Sequence, residues 1–249
     1  MIKKVKKKLK KFIDVRVRLL RDQQHQNQQV LFNHSQLKQL FSEGSFIPFS
    51  GWAISPSTIL HVLNDVAINK RKCIIEFGSG ASTFYIAKLL KVLELNAVFY
   101  SVESDEKWAN EMKRQLQKHG ISEYVRVIYA PLRKVSDNYS LEEQETWYDT
   151  QILEETFTGQ EKFDLILVDG PFGGSTPYAR YSAIPFLRKI TLDQASIFLD
   201  DVQRADEAFI LKEWEQLLDR EANILERYGF FNDQTSFDVK PFQLSRPTL

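Results

Sequence analysis

The stretch from Cys73 to Thr83 constrains the fold of this chain more than any other part of its sequence. It consists of a short apolar strand, Cys73–Phe77, then Gly78-Ser79-Gly80, then a helix predicted from about Ser82 to Leu95. Glycines between a strand and a helix allow a tight turn and let a ligand approach the backbone closely. The free N–H groups at the start of the following helix would face that ligand. The stretch therefore predicts an α/β unit with a binding loop at the end of its strand.

Strands and helices alternate through the rest of the chain. Further strands are predicted at Ala97–Val102, Val125–Tyr129, Phe163–Val168 and Ser196–Leu199. This alternation indicates an α/β fold with a doubly wound, mostly parallel sheet of seven strands. The last two, near Asn223–Phe230 and Ser236–Phe242, predict an antiparallel edge. Residues 131–161 are polar and acidic and predict an excursion with some helix.

Glu103 is the second part of the binding-loop pattern. It ends the second predicted strand, which lies beside the first loop in a doubly wound sheet, so its carboxylate can accept hydrogen bonds from both hydroxyls of a ribose. A dinucleotide fingerprint needs a third glycine or alanine where this chain has Thr83. Glu76, two residues before the first glycine, suits a ligand with an ammonium group rather than a pyrophosphate. The pattern favours a nucleoside ligand that carries an amino group.

These residues resemble the first motif of class I S-adenosylmethionine-dependent methyltransferases, Glu/Asp-x-Gly-x-Gly, and the resemblance spans about residues 72–242. It implies a Rossmann-like methyltransferase fold with S-adenosylmethionine as cofactor. By this similarity, Glu76 and the glycine loop would face the methionine part of the cofactor, and Glu103 the ribose. The cofactor-binding residues that it implies are Glu76, Gly78, Ser79, Gly80, Ser82, Thr83, Glu103 and Ser104.

Carboxylates also follow two strands in the other half of the predicted sheet. Asp169 follows the strand Phe163–Val168, and Asp200 and Asp201 follow the next one. Ligands of open α/β sheets bind at this carboxyl edge, and three carboxylates there suit Mg²⁺. Such an ion would lower the pKa of a bound substrate hydroxyl. Alternatively, Asp200 or Asp201 caps the next helix and Asp169 only shapes the pocket.

This trio is similar to that of metal-dependent O-methyltransferases, including the catechol and macrolide-sugar types. The similarity implies methylation of a hydroxyl on a sugar or another small molecule. Those families place a Lys or His shortly after the first Asp, whereas here Gly170-Pro171-Phe172 follows, and all four histidines lie elsewhere in the sequence. The base is therefore not identified.

Asp169 and Arg180 are the candidate catalytic residues of this chain. Arg180 lies in the loop 173–181, where it can hold a substrate carboxylate or hydroxyl, or form ion pairs with the surrounding carboxylates. The short sequences Asp-Gly-Pro, Ala-Arg-Tyr and Leu-Asp-Asp-Val-Gln-Arg in this region also resemble those of bacterial methyltransferases associated with glycan assembly.

Two other classes of function fit the same sheet. One is a nicotinamide-dependent oxidoreductase, against which Thr83 argues. The other is a non-catalytic scaffold tethered by its N-terminal helix. Intact Glu76, Gly78, Gly80 and Glu103 argue against it, because an unused site has no physical need for them.

The N-terminal region concentrates positive charge. Lys and Arg together balance Asp and Glu over the whole chain, yet residues 1–22 carry a net charge of +8 and the remainder −8. Apolar residues recur there at roughly helical spacing, at Ile2, Val5, Leu9, Phe12, Ile13 and Leu20. A basic amphipathic helix can lie on an anionic membrane, where each basic residue contributes ~1 kcal/mol. Its apolar stripe can equally pack on the chain's own body or on a second subunit of a homo-oligomer. Gln23 to Gln29 continue the helix or form a linker.

The sequence thus predicts three parts: a basic arm over residues 1–29, a helical lid segment over 30–71, and a methyltransferase domain over 72–249. Ser55-Pro56 is a helix start within the second part. The single cysteine, Cys73, and the absence of a secretory pattern predict a cytoplasmic location, at the inner face of the membrane if the arm docks there. The acidic body argues against a nucleic-acid partner.

Overall fold

Strands and helices alternate from Cys73 onward, as predicted, in the computed structural model, which describes residues 2–41, 45–232 and 237–245. The strands are β1 (Cys73–Phe77), β2 (Val98–Glu103), β3 (Arg126–Tyr129), β4 (Leu132–Lys134), β5 (Thr146–Tyr148), β6 (Phe163–Val168), β7 (Thr191–Leu199), β8 (Asn223–Leu225) and β9 (Tyr228–Phe231). The α-helices are α1 (Ile2–Leu37), α2 (Pro56–Asn69), α3 (Ala81–Val92), α4 (Glu106–Lys118), α5 (Thr150–Phe157), α6 (Ala183–Leu187) and α7 (Ala205–Leu218). Short 3₁₀ turns cover Lys38–Leu40, Ser122–Tyr124 and Arg188–Ile190.

Within the described residues, seven strands form one sheet in the order β3-β2-β1-β6-β7-β9-β8. The first five run parallel, and β9 is antiparallel to both β7 and β8. This is the Rossmann-like doubly wound arrangement that the sequence predicts. The order of the strands reverses between β1 and β6, and ligands of such sheets bind at that switch point.

The antiparallel pair lies earlier in the chain than predicted. β8 and β9 both fall within residues 223–231 and are joined by the two-residue turn Glu226-Arg227. The prediction of a strand over Ser236–Phe242 is wrong for residues 237–242, which have no strand, while Ser236 lies outside the described residues. The turn between β8 and β9 was not predicted because only two polar residues, Glu226 and Arg227, interrupt the apolar sequence there. Glu226 has a φ of 54°, a conformation that allows the chain to reverse.

The polar stretch between β3 and β6 contains the predicted helix, α5, and also two strands that the sequence analysis did not predict. β4 and β5 pair antiparallel over three residues each. Trp147 and Tyr148 of β5 are buried, and their rings lie 5.2 and 5.4 Å from the ring of Phe77. This hairpin therefore packs against the end of β1, close to the glycine loop.

The core lies on both faces of the sheet, as expected for parallel strands covered by helices. All five residues of β1 are buried, and their side chains alternate between the two layers. Ile74 belongs to the layer that contains Val62 of α2, while Ile75 and Phe77 belong to the layer that contains Trp147. A strand buried on both faces fixes the position of the loop that follows it.

Helix α2 begins where the sequence predicts. Ser55 is its N-cap and accepts a hydrogen bond from Thr58 N at 3.1 Å, and Pro56 is the first helical residue. The cap places the hydroxyl of Thr58 within 3.2 Å of Asp200 Oδ1, to which it donates. The helical segment before the sheet is thereby connected to the carboxyl edge of β7.

Helix α1 is continuous from Ile2 to Leu37 and crosses the boundary predicted at residue 29, so the glutamine-rich stretch continues the helix. Residues 6–21 are exposed throughout, and over that range the apolar stripe does not pack on the body of the protein. Gln29 is buried and bonds to Phe242 O at 2.7 Å and Leu244 N at 2.8 Å. Among the described helices, none is both long and apolar enough to cross a bilayer.

Candidate active site

The predicted site residues meet at the carboxyl edge of the central strands because the strand register is continuous there. Gly78 N donates to Val102 O at 2.9 Å, Asp169 N to Phe77 O at 2.9 Å, and Asp200 N to Val168 O at 3.0 Å. These bonds extend the β2–β1–β6–β7 ladder by one residue beyond each strand. The glycine loop, Asp169 and Asp200 therefore lie side by side at this edge.

The two glycines of the loop have different structural reasons. Gly78 has a φ of 95°, and a Cβ there would lie 3.0 Å from the backbone of Asp169 and Gly170, so the two loops touch. Gly80 has an extended φ of −169°, and a Cβ on it would meet nothing within 4 Å. Gly78 is required by the fold, whereas Gly80 borders open space that a ligand can fill.

Glu76 is fully buried beside this space. Its Oε1 accepts hydrogen bonds from Ser101 Oγ at 2.7 Å and from the hydroxyl of Thr83, which in turn accepts from Gly80 N at 2.9 Å. Its Oε2 has no hydrogen-bond partner in the described structure. Burial raises the pKa of Glu76 to about 7, although these hydroxyl donors lower it. An unsatisfied buried acceptor of this kind fits a cationic or N–H donor from a bound ligand.

Glu103 joins the end of β2 to the glycine loop, as its spacing predicts. Its Oε2 accepts from Ser79 N at 3.2 Å, and its Oε1 accepts from Ser104 N at 2.7 Å and Asp105 N at 2.9 Å. Burial raises the pKa of Glu103 in spite of these amides. A carboxylate has about four acceptor positions, so capacity for a ribose hydroxyl remains. Ser82, in the first turn of α3, is also buried.

Two residues at this half of the site were not found by the sequence analysis. Trp108 of α4, which is 41% exposed, donates from Nε1 to Ser79 O at 2.8 Å and so holds the glycine loop. A Cβ on Gly170 would lie only 2.4 Å from the hydroxyl oxygen of Tyr148. Trp108 lies in the first turn of α4, and Tyr148 lies in the β4–β5 hairpin, which was not predicted. Neither residue belongs to a sequence motif.

Asp169, Asp200 and Asp201 converge as predicted, with one carboxylate oxygen from each within 4.8 Å of the others. Burial raises the pKa of Asp169 well above its ordinary value and that of Asp200 to about 6. Asp201 has a φ of 64°, a backbone conformation that Asp tolerates better than most residues. Side-chain exposure is 17% for Asp169, 0% for Asp200 and 4% for Asp201, so Asp169 is the member that a ligand can reach.

Arg180 lies at the centre of this cluster and is itself buried. Its Nη2 is 3.2 Å from Asp169 Oδ1 and 3.5 Å from Asp201 Oδ2, and its Nη1 donates to Asp200 O at 3.1 Å. Its Nε lies 3.8 Å from Glu207 Oε1. Two roles were predicted for Arg180, namely holding a substrate group or forming ion pairs with the surrounding carboxylates. The structure contains the ion pairs.

Two more arginines bind the same carboxylates. Arg204 Nη1 is 2.9 Å from Asp201 Oδ2. Arg227, in the turn between β8 and β9, bonds through Nη2 to Asp200 Oδ2 at 3.1 Å and to Asp201 Oδ1. Mg²⁺ requires near-octahedral oxygen ligands. The oxygens of Asp200 and Asp201 already accept from arginines or from Thr58, so this donor set does not fit a divalent metal. The predicted metal role of the trio stays a prediction.

A cavity of about 620 Å³ is lined in part by Arg227. Its walls come from α1, from the loop that precedes α2 and from the β8–β9 turn. Side chains lining it include Gln26, Asn27, His34, Phe49, Gln203 and Arg227. His34 was not predicted as a site residue, because it lies far from the acidic trio in the sequence and no sequence pattern predicts that α1 approaches this edge of the sheet. The same loop reaches the β6 edge, where the rings of Trp52 and Phe172 lie 5.2 Å apart.

Comparison with known proteins identifies the family to which this chain belongs. A family model described as a methyltransferase domain matches residues 75–202, which include the glycine loop, Glu103 and the acidic trio. No curated protein sequence matches the chain.

Two solved structures have a similar fold. One is the O-methyltransferase TomG from Streptomyces achromogenes, involved in tomaymycin synthesis and solved with S-adenosylmethionine. It is 16% identical with a TM-score of 0.51, over 80% of this chain and 86% of that chain. The other is the O-methyltransferase from Bacillus cereus, solved with S-adenosylhomocysteine. It is 18% identical with a TM-score of 0.52, over 73% of this chain and 81% of that chain. At these identities the likeness concerns the fold.

Proposed function

The chain belongs to the methyltransferase domain family, and on that premise we propose that it transfers the methyl group of S-adenosylmethionine to a hydroxyl oxygen of a sugar or another small molecule. The observation that carries this proposal is the glycine loop at the end of β1, where Gly80 borders open space and hydrogen bonds link the loop to two buried carboxylates, Glu76 and Glu103. The unpartnered Oε2 of Glu76 would receive an amino group, and the carboxylate of Glu103 would hold a ribose.

The proposed cofactor site uses the residues that the sequence motif indicates. Glu76 would receive the ammonium group, the loop backbone would lie along the methionine chain, and Glu103 would hold the ribose. The full set is Glu76, Gly78, Ser79, Gly80, Ser82, Thr83, Glu103 and Ser104. Trp108 supports the loop through the carbonyl of Ser79.

The protein's part in the reaction is alignment and proton removal. When bound, the cofactor supplies a methyl group on a reactive sulfonium, so the chain needs to hold an acceptor oxygen in line with it. Asp169 is the proposed base, because at 17% its side chain is the most exposed of the trio, and burial raises its pKa above the ordinary value, which makes its ionised carboxylate a stronger base. Arg180 is proposed as a positioning residue, because its ion pair with Asp169 Oδ1 fixes that carboxylate.

The cavity beside Arg227 is the proposed acceptor site. Gln26, Asn27, Gln203 and Phe49 are among the residues that line it, and such a mixture of polar and aromatic residues suits a hydroxylated ligand. The two similar structures are those of O-methyltransferases, which supports an oxygen acceptor. A glycan acceptor belongs to the same chemical class.

Calorimetric titration with S-adenosylhomocysteine tests the proposal. The wild-type chain is expected to bind it and not to bind NADH, while Gly80→Arg is expected to abolish binding and keep the wild-type melting temperature, since a side chain there enters open space. Binding of NADH alone would favour an oxidoreductase, and binding of neither would favour a scaffold. Transfer of labelled methyl to candidate sugars then tests the acceptor, and a product stable in mild alkali identifies an ether rather than an ester.

We also infer that residues 1–22 dock on an anionic membrane surface, which would put the enzyme at the inner face of the cytoplasmic membrane. The exposed part of α1 combines apolar Leu9, Phe12 and Leu20 with a strongly basic composition. Deleting residues 1–22 is expected to abolish binding to vesicles that contain anionic lipid and to preserve cofactor affinity. Unchanged vesicle binding would refute the inference. A dimer that dissociates on deletion would instead assign the arm to a second copy of the chain.

The division into an arm over 1–29, a lid segment over 30–71 and a catalytic domain over 72–249 stands as part of this proposal. The continuity of α1 supports treating the first two as one unit that packs against α2 and the C-terminal segment from Gln29 onward. Its contacts with the C-terminal segment at Phe242 and Leu244 support the same view.

A further inference from the structure

Arg227 lies between two of the three carboxylates that a divalent metal would need. Its Nη2 is 3.1 Å from Asp200 Oδ2 and also bonds to Asp201 Oδ1. On the other side, Arg180 Nη2 spans Asp169 Oδ1 and Asp201 Oδ2. The two guanidinium groups thus bond oxygens of all three carboxylates, and one oxygen from each carboxylate lies within 4.8 Å of the others.

The charges of the cluster are nearly balanced without any metal. Four carboxylates, those of the trio and of Glu207, meet three guanidinium groups, those of Arg180, Arg204 and Arg227. A bare trio would carry three negative charges and attract Mg²⁺ strongly, whereas this cluster carries a formal charge of −1. An incoming dication would also be repelled by guanidinium groups that already bond the same oxygens.

The backbone fixes Arg227 in this position. The turn Glu226-Arg227 connects β8 and β9, and the carbonyl of Arg227 accepts a hydrogen bond from Val202 N at 2.8 Å. Val202 directly follows Asp201, so the arginine and its carboxylate partners are held by one set of backbone contacts. The guanidinium bonds two carboxylates at once, which a lysine ammonium does with less geometric specificity.

We propose that Arg227 is the resident cation of the acidic trio, in place of a divalent metal, and that methyl transfer by this chain requires no metal. The inference concerns the same site as the proposed function, and its statement about methyl transfer rests on that function. Binding of a metal can be measured without cofactor or acceptor, so the two ideas fail separately. Activation of the acceptor hydroxyl then falls to Asp169.

Titration with Mn²⁺, followed by electron paramagnetic resonance, tests the proposal directly. The wild-type chain is expected to leave the spectrum of free Mn²⁺ unchanged. Arg227→Met exposes the oxygens of Asp200 and Asp201 and is expected to bind Mn²⁺ about ten- to hundred-fold more tightly, the range for one charge-assisted hydrogen bond. Adding Asp200→Asn to that variant is expected to remove the new site.

Two controls keep the test decisive. Arg227→Lys retains the charge and is expected to exclude Mn²⁺ as the wild type does, even if Arg227→Met folds poorly. Arg204→Met removes a half-exposed guanidinium that bonds Asp201 but not Asp200, and it is expected to create no site. Affinity for S-adenosylhomocysteine is expected to be the same in the wild type and in Arg227→Met, because the side chain of Arg227 bonds Asp200 and Asp201 rather than the glycine loop.

Stoichiometric binding of Mn²⁺ by the wild-type chain would overturn the proposal. So would the absence of binding by a folded Arg227→Met variant, because Arg227 would then not be what excludes the metal. Loss of methyl transfer after dialysis against a chelator, restored by Mg²⁺, would overturn its catalytic part. Failure to bind S-adenosylhomocysteine would leave the Mn²⁺ result standing and count only against the proposed function.

Discussion

The two halves of the sheet edge handle buried charge in opposite ways. At the β1–β2 half, Glu76 keeps a buried oxygen without a partner and Gly80 borders open space. At the β6–β7 half, Asp200 and Asp201 are bonded to arginines of the same chain. The first half leaves an acceptor unpaired within the described residues, and the second supplies its own counter-charges.

The difference indicates how each half responds to loss of a residue. Removing a counter-charge from a buried cluster leaves carboxylates in a low-dielectric environment, which costs stability. Removing a ligand-binding group from the other half costs affinity instead. Stability and affinity should therefore separate along the edge.

The largest effect is expected at Arg180. Arg180→Met leaves Asp169, Asp201 and Glu207 without their buried partner, so the free energy of unfolding is expected to fall by about 3–5 kcal/mol. Arg204→Met, at a guanidinium that is 51% exposed, is expected to cost no more than about 1 kcal/mol. Urea unfolding of both variants measures the difference, and equal losses would contradict the buried role of Arg180.

The glycine pair gives the next effect. Gly78→Ala forces a Cβ into a residue with a φ of 95° and against the backbone of Asp169, so a loss of about 2 kcal/mol or more is expected. Gly80→Ala is expected to leave stability within about 0.5 kcal/mol and to weaken binding of S-adenosylhomocysteine. Thermal unfolding and calorimetry separate the two, and a stable Gly78→Ala protein would break the comparison.

The pKa of Glu76 predicts a pH dependence of the cofactor-free protein. Because burial raises this pKa to about 7, the folded state holds a proton that the unfolded state releases near pH 4.5. Stability is therefore expected to fall, by about 3 kcal/mol, as pH rises from about 4.5 to about 7. Glu76→Gln should flatten that slope in urea unfolding. Affinity for S-adenosylhomocysteine should rise over the same interval, since the ionised carboxylate favours an ammonium group.

The smallest effect is expected at Trp108. Trp108→Phe removes one hydrogen bond, the 2.8 Å contact from Nε1 to Ser79 O, and keeps most of the ring. A loss of about 0.5–1.5 kcal/mol in cofactor affinity follows from the usual value of such a bond. Calorimetry measures it against the wild type, and a loss of stability with no loss of affinity would show that the bond serves the fold alone.

The sequence predicted the arrangement of the glycine loop and Glu103 well because that arrangement depends on local order. Gly78 and Gly80 follow a strand directly, and Glu103 ends the next strand, so parallel pairing of β1 with β2 is enough to bring them together. The same reasoning correctly placed Asp169 beside Asp200. Rules for parallel sheets act on consecutive units, and these residues obey them.

The β6–β7 half of the edge and the cavity were less predictable because their parts come from distant regions of the chain. Arg227 reaches Asp200 through an antiparallel edge whose second strand was predicted too late in the sequence, and no local pattern distinguishes the turn between β8 and β9. His34 and Gln26 arrive through α1, whose position depends on the bonds of Gln29 to the C-terminal segment. Contacts of this kind have no periodicity that a sequence reveals.

The exposed part of α1 has a consequence for hydrogen exchange. Residues 6–21 lie on the surface on every side, and a helix of that length is marginal in water without tertiary packing, whereas residues from Gln29 onward are anchored. Amide protection should therefore increase along one continuous helix from nearly none to nearly that of the core. Any surface that holds the first part would be recorded as slowed exchange confined to residues 6–21.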